Sequence, residues 1–172
     1  MGKQSSTVLK LCLAVICCLS LSAAFSACGQ QAPSATATDS IDTSSPLSQN
    51  KIAETSPLFA YWQQQFPGSQ WQALAQGDIN NDGKPDLVIV YGTEGTKCSV
   101  LAVLDTPKGY QLTPAIDAPV EQQVIRIFNM NDAPPLEISV TGQRGDNIGY
   151  AIFNIVNGNM KLIMATGYGD CC

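Results

Sequence analysis

The chain has 172 residues, enough for one ordinary domain or two very small ones, and 45% of them are hydrophobic, a figure inflated by an apolar N-terminal run. Nine Lys and Arg stand against 14 Asp and Glu; with Lys3 and Lys10 in a segment expected to be removed, seven face 14, a net charge of −7 that argues against nucleic-acid binding. There is no histidine, which excludes Ser-His-Asp triads, histidine general bases and imidazole-ligated zinc, and leaves carboxylates, thiols and backbone oxygens for chemistry.

Residues 1–27 read as an export signal: a basic start at Lys3 and Lys10, an apolar run from Leu11 to Phe25, and small residues at its exit. The run is too short to span a bilayer as a helix. Phe25-Ser26-Ala27-Cys28 resembles the lipobox of bacterial lipoproteins, which makes Cys28 the first mature residue and a lipid anchor in the cell envelope. The alternative is ordinary cleavage after Ala27 with Cys28 left as a thiol. From Cys28 to residue 55 the chain is rich in Ser, Thr, Ala, Gln and Pro, without an aromatic residue. Such a stretch buries too little apolar area to offset its ordering entropy, and is expected to be a disordered tether.

Residues 56–172 are expected to form a mainly β domain with one short N-terminal helix. Leu58, Tyr61, Trp62 and Phe66 recur near helical spacing behind Ser56-Pro57, predicting that helix. Short β-rich runs then follow: Trp71–Ala75, Leu87–Tyr91, Ser99–Leu104, Val124–Phe128, Leu136–Val140, Tyr150–Val156 and Met160–Ala165. Asn157-Gly158 joins the last two as a hairpin signal. A degenerate duplication is also visible, because Asp78–Gly92 aligns with Asn129–Gly142 when one residue is deleted. Each copy would make a blade-like antiparallel sheet, and two blades cannot close a propeller. The expectation is therefore two small packed sheets, with the helix over an edge.

The first copy holds Asp78, Asn80, Asp82, Gly83, Lys84 and Asp86. Oxygen side chains at alternate loop positions, a Gly permitting the reversal and the Lys84 carbonyl form a ligand pattern for calcium. A strand follows where an EF-hand has a helix and its bidentate Glu, so the loop resembles those of integrin-type FG-GAP repeats. The competing reading is a polar turn whose Asp and Asn side chains cap their own backbone. The second copy has Asn129, Asn131 and Asp132 but, in this alignment, neither the Gly nor the later Asp, and is expected to be empty.

Three cysteines remain once the signal and Cys28 are set aside: Cys98, and Cys171-Cys172 behind Gly167-Tyr168-Gly169-Asp170. This Gly-rich end is expected to be mobile. Adjacent cysteines close only a strained ring, which makes a structural disulfide a poor reading. Asp170 and a terminal carboxylate would raise the thiol pKa values, but a soft cation deprotonates thiols itself. Cys171 and Cys172, with Cys98 as a third ligand, therefore suit a soft metal, metalloid or organometal. A redox dithiol, with Cys171 reacting and Cys172 resolving, is the alternative. Cys98 could equally be a small core residue or a disulfide partner of the tail.

Together the lipoprotein start, D-I-N-N-D-G-K-P-D-L-V-I-V-Y, the Cys98 strand, A-P-V-E-Q-Q-V-I, P-P-L-E-I-S-V-T-G, N-I-G-Y-A-I-F and G-D-C-C resemble the Cys-Cys-COOH (seleno)protein family called SaoC. The resemblance implies a chemical role for Cys171, the position of selenocysteine in some members. It also implies association with an ABC transporter, a thioredoxin-like partner and organometal handling. The leading expectation is a lipid-anchored protein that binds a soft metal species at its Cys-Cys end and presents it to a transporter or redox partner. The alternatives are an extracytoplasmic thiol or selenol redox protein and a calcium-stabilised surface or adhesion module.

Overall fold

Ser56 caps a helix over Pro57–Gln65, its side chain accepting a 3.2 Å hydrogen bond from the Phe59 N–H, and Pro57 fills the first turn, where no N–H partner is needed. This helix, α1 (Pro57–Gln65), is followed by nine strands and a last short helix in the computed structural model, which describes residues 50, 51 and 53–172. The expected signal, Cys28 and residues 28–49 of the expected tether lie outside the described residues. Its remaining residues differ from expectation. Asn50, Lys51, Ala53 and Glu54 have helical backbone, Ala53 is buried in a core cluster, and the Asn50 Oδ1 accepts from the Leu74 N–H at 2.7 Å. Their polar composition conceals a local packing role.

The strands are β1 (Trp71–Gly77), β2 (Asp86–Thr93), β3 (Lys97–Thr106), β4 (Gly109–Leu112), β5 (Ile116–Ala118), β6 (Glu121–Phe128), β7 (Glu137–Arg144), β8 (Asn147–Val156) and β9 (Asn159–Thr166). All pairings are antiparallel, as the sequence predicts. The first sheet runs β1-β2-β3-β4, with β5 sharing the β4 edge of β3; the second runs β6-β7-β8-β9. Residues alternate between two faces. Ala75, Val88, Val90, Val100 and Ala102 of the first sheet meet Ile125, Ile138, Val140, Ala151 and Phe153 of the second in the main core. On the opposite face of the first sheet, Leu74, Leu87, Ile89, Leu101 and Val103 pack under Leu58, Phe59 and Trp62. The helix thus covers a face, not the expected edge, because its three apolar side chains fit the alternate set on β1–β3.

The expected duplication is present, but its register differs. Gly77 pairs with Asp86 and Leu87 with Val103; Phe128 pairs with Glu137 and Ile138 with Phe153. The copies therefore correspond without a gap through the loop, and the residue missing from the second copy belongs to the β7–β8 hairpin. Glu137, not Leu136, is the counterpart of Asp86.

Candidate functional site: an acidic loop and a thiol cleft

The β1–β2 connection is anchored from below by Ile79, fully buried in the main core, so Asp78 and Asn80 on either side turn toward the loop. Asn81 and Gly83 take the left-handed conformations that close it, at φ 61° and 85°. Asp78 accepts from the N–H groups of Asp82 (3.1 Å) and Gly83 (2.9 Å), Asn80 Oδ1 from Asp82 (3.0 Å), and Asp82 Oδ1 from Lys84 (3.0 Å). The Lys84 ammonium turns outward to Asp105 at 2.9 Å, leaving its carbonyl as its only possible ligand atom.

Asp86 lies deepest, with no solvent exposure. Its Oδ2 accepts from the Ile79 N–H at 3.1 Å and its Oδ1 from the Asp105 N–H at 2.8 Å. Burial pushes its pKa up to about 6 against these two bonds, with Asp82 and Asp78 adding to the rise. The Asn80 amide nitrogen sits between Asp82 Oδ2 (3.3 Å) and Asp86 Oδ1 (3.4 Å), a donor standing between two carboxylates. A carboxylate has about four lone-pair sites, so these bonds leave acceptor capacity on Asp78, Asp82 and Asp86. The donor set fits a hard cation. The capping reading is also visible, in the same bonds.

The second loop repeats the scaffold with different side chains. Glu137 is buried and accepts from the Met130 N–H (2.8 Å) and Asn131 amide (3.2 Å), as Asp86 does from Ile79 and Asn80. Asn131 Oδ1 accepts from Ala133 N at 2.9 Å, as Asn80 does from Asp82. A later carboxylate is therefore present in this copy, contrary to expectation. Sequence reasoning misses Glu137 because the worn repeat carries no signal for where its deleted residue falls.

The thiols gather elsewhere. Cys98 and Asp105 lie seven residues apart on β3, roughly 23 Å at ~3.3 Å per residue, so the acidic loop and Cys98 mark opposite ends of the strand. The C-terminal residues are not loose: Tyr168–Cys171 form helix α2, capped by Gly167 at φ 61°, and Cys171 has no solvent exposure. The Tyr168 ring meets Phe153 edge-on at 6.1 Å, and the Cys171 carbonyl accepts from Val120 N at 3.0 Å. Gly-rich composition here permits close packing instead of motion. A Cβ on Gly149 of β8 would lie 2.3 Å from the Gly167 carbonyl oxygen and 2.8 Å from Cys171 Sγ.

Cys171 Sγ lies 3.2 Å from the Tyr168 carbonyl oxygen and 4.0 Å from Cys172 Sγ. Cys98, 2% exposed, has the Gln123 amide 3.5 Å from its sulfur. All three are free thiols. Cys98 and Cys172 line one open cleft of about 210 Å³, together with Thr96, Lys97, Asp117 and Arg144. Burial raises the pKa of Cys98, and it raises that of Cys172 to about 12, with Cys171 and Asp117 adding and Arg144 opposing. The Cys172 rise matches expectation, but burial leads it and the acidic contributor is Asp117 instead of Asp170. Among the described residues, no three His, Cys, Asp or Glu side chains stand together as a metal-holding group, so neither Cys98, Cys171 and Cys172 nor Asp78, Asp82 and Asp86 form a preassembled metal site.

Among the described residues no helix is long and apolar enough to cross a membrane. A family model of the FG-GAP repeat matches residues 71–102, which span β1, the acidic loop, β2 and the first half of β3. FG-GAP repeats typically bind calcium, and they occur in extracellular or surface proteins. Comparison with curated proteins and with solved structures finds no match.

Proposed function

We propose that this chain is an exported surface module, held to the envelope through Cys28, in which calcium at the Asp78–Asp86 loop stabilises a β domain used for binding. The observation that carries the reading is the convergence of Asp82 and Asp86 on the Asn80 amide within the FG-GAP match. Asp78, Asp82 and Asp86 would hold the ion, with the Asn80 side-chain oxygen and Lys84 carbonyl completing the set. Calcium would neutralise three carboxylates, among them Asp86, whose pKa is raised first by burial and then by Asp82 and Asp78.

Calorimetric titration of the full chain with CaCl2 is expected to give one site in the ~10⁻⁴–10⁻³ M range of extracellular modules. Calcium at ten times Kd should add about 1.4 kcal/mol, or about 5 °C in Tm. Asp82→Asn should weaken binding about tenfold. Absence of both heat and a Tm shift at 10 mM CaCl2 would overturn the reading.

A second reading is soft-metal or organometal capture by Cys171, Cys172 and Cys98, with handover to an ABC transporter or thioredoxin-like partner. It draws on the SaoC resemblance and on the shared cleft of Cys98 and Cys172. Protonated thiols of high pKa are suited to a cation that displaces the proton itself. A Cys98→Ala variant that binds Hg(II) as the parent does would remove Cys98 from this site.

A further inference from the structure

Adjacent Cys171 and Cys172 look like the dithiol in the sequence, but they face different surroundings. Cys171 Sγ is sealed beneath α2 against Gly149 and the Tyr168 carbonyl. Cys172 instead opens into the cleft where β3 presents Cys98. The charged lining of that cleft is mixed, with Lys97 and Arg144 cationic and Asp117 anionic. At about 210 Å³ this open cleft falls below the ~300–1,000 Å³ of drug-sized sites, room for one amino-acid half of a ligand with the rest in solvent. A carboxylate suits Lys97 and Arg144, and an ammonium suits Asp117.

We propose that Cys98 and Cys172 form the working dithiol of this protein, and that their cleft takes a small zwitterionic disulfide of the cystine type and reduces it. Cys172 reacts first because it is the more exposed sulfur; its proton passes to solvent as the sulfur attacks one sulfur of the ligand. The ligand S–S bond breaks, and the first amino-acid thiolate leaves and is protonated. Cys98 then loses its proton and attacks the Cys172 sulfur of the mixed disulfide, releasing the second thiolate. Two protein thiols become one Cys98–Cys172 disulfide, and one small disulfide becomes two thiols. The new bond would tie the residue after α2 to β3. The raised thiol pKa values make this a slow reaction.

This goes beyond the calcium reading and is independent of it. The test uses the full chain in EDTA, which removes free metals, with cystine as probe and peptide mass mapping as readout. The expected product is a Cys98–Cys172 linkage that survives in Cys171→Ala and stops at a Cys172 mixed disulfide in Cys98→Ala. The combined Lys97→Gln/Arg144→Gln variant should lose about tenfold more rate toward cystine than toward neutral hydroxyethyl disulfide, the loss common to both probes reflecting the removal of Arg144 from beside Cys172. Asp117→Asn, which also removes a charge that raises the Cys172 pKa, should lower the cystine rate relative to the hydroxyethyl disulfide rate. A Cys171–Cys172 linkage in the parent, Cys98 left reduced after the mixed disulfide forms, or equal effects on the charged and neutral probes would each overturn the proposal. Mapping of the parent and of Cys171→Ala decides the pairing even if Cys98→Ala folds poorly.

Discussion

Asp86 is a carboxylate held out of water with a pKa pushed up to about 6, and this makes stability depend on pH in an unusual direction. Its reference value is 3.8, so between about pH 4 and 6 the folded protein binds more protons than the unfolded chain. In calcium-free protein its contribution is therefore favourable at low pH, is lost as pH rises through that window, and levels off above it. Two units correspond to about 3 kcal/mol at most. Asp86→Asn lacks this titration. In EGTA, urea midpoints at pH 4.5 and 7 should show the variant gaining about 2 kcal/mol on the parent at the higher pH; a constant difference would refute the assignment. The first loop was legible because five suitable residues fall at alternate positions. Glu137 was not, because a one-residue gap in a worn repeat can be placed in the loop or the hairpin with equal ease, and only strand pairing decides.

Helix α1 illustrates how one element completes a sheet. Trp62 is 1% exposed, stacks on Phe59 and Phe66 at 5.6 and 5.9 Å, and meets Tyr91 edge-on. Trp62→Ala should cost about 3–5 kcal/mol, read from urea unfolding, because the sheet cannot collapse into the space left behind. Trp62→Phe should cost much less than this. The buried indole Nε1 has no hydrogen-bond partner among the described residues, so its loss removes a desolvated N–H along with some area. Equal losses in the two variants would show that indole shape, and not burial, holds the helix. The helix was legible from apolar spacing behind Ser56-Pro57. β4 and β5 were not, since Gly109–Leu112 and Ile116–Ala118 are too short to carry a period of two and form only by pairing with β3.

The two sheets stack head to tail. The helix-covered residues Leu74, Leu87 and Ile89 correspond in the second copy to Ile125, Ile138 and Val140, which face the main core. The core-facing Val88 and Val90 correspond to Ser139 and Thr141, which lie on the opposite face of their sheet. In such a stack α1 caps one end, and the other is a mixed face on which Ser139 and Thr141 lie beside Ile152 and the exposed Met164. The same arrangement leaves a margin between the sheets, and α2 fills it by resting on Gly149, whose partner Gly142 lies against Pro119. Loose or packed ends look alike in a Gly-rich sequence, and the distinction arises from what the opposing strand leaves bare. Gly149→Ala places a methyl against the Gly167 carbonyl and Cys171 Sγ, positions that backbone cannot yield without moving α2. Native-state alkylation with iodoacetamide should label Cys172 before Cys98 and Cys171 in the parent. In Gly149→Ala the Cys171 rate should rise at least about tenfold as α2 opens locally. Leu162→Ala, at a side chain 53% exposed on the same sheet, should leave that rate unchanged. If Cys171 already reacts as fast as Cys172 in the parent, α2 does not protect it, and the separation of roles between the adjacent thiols has no structural basis.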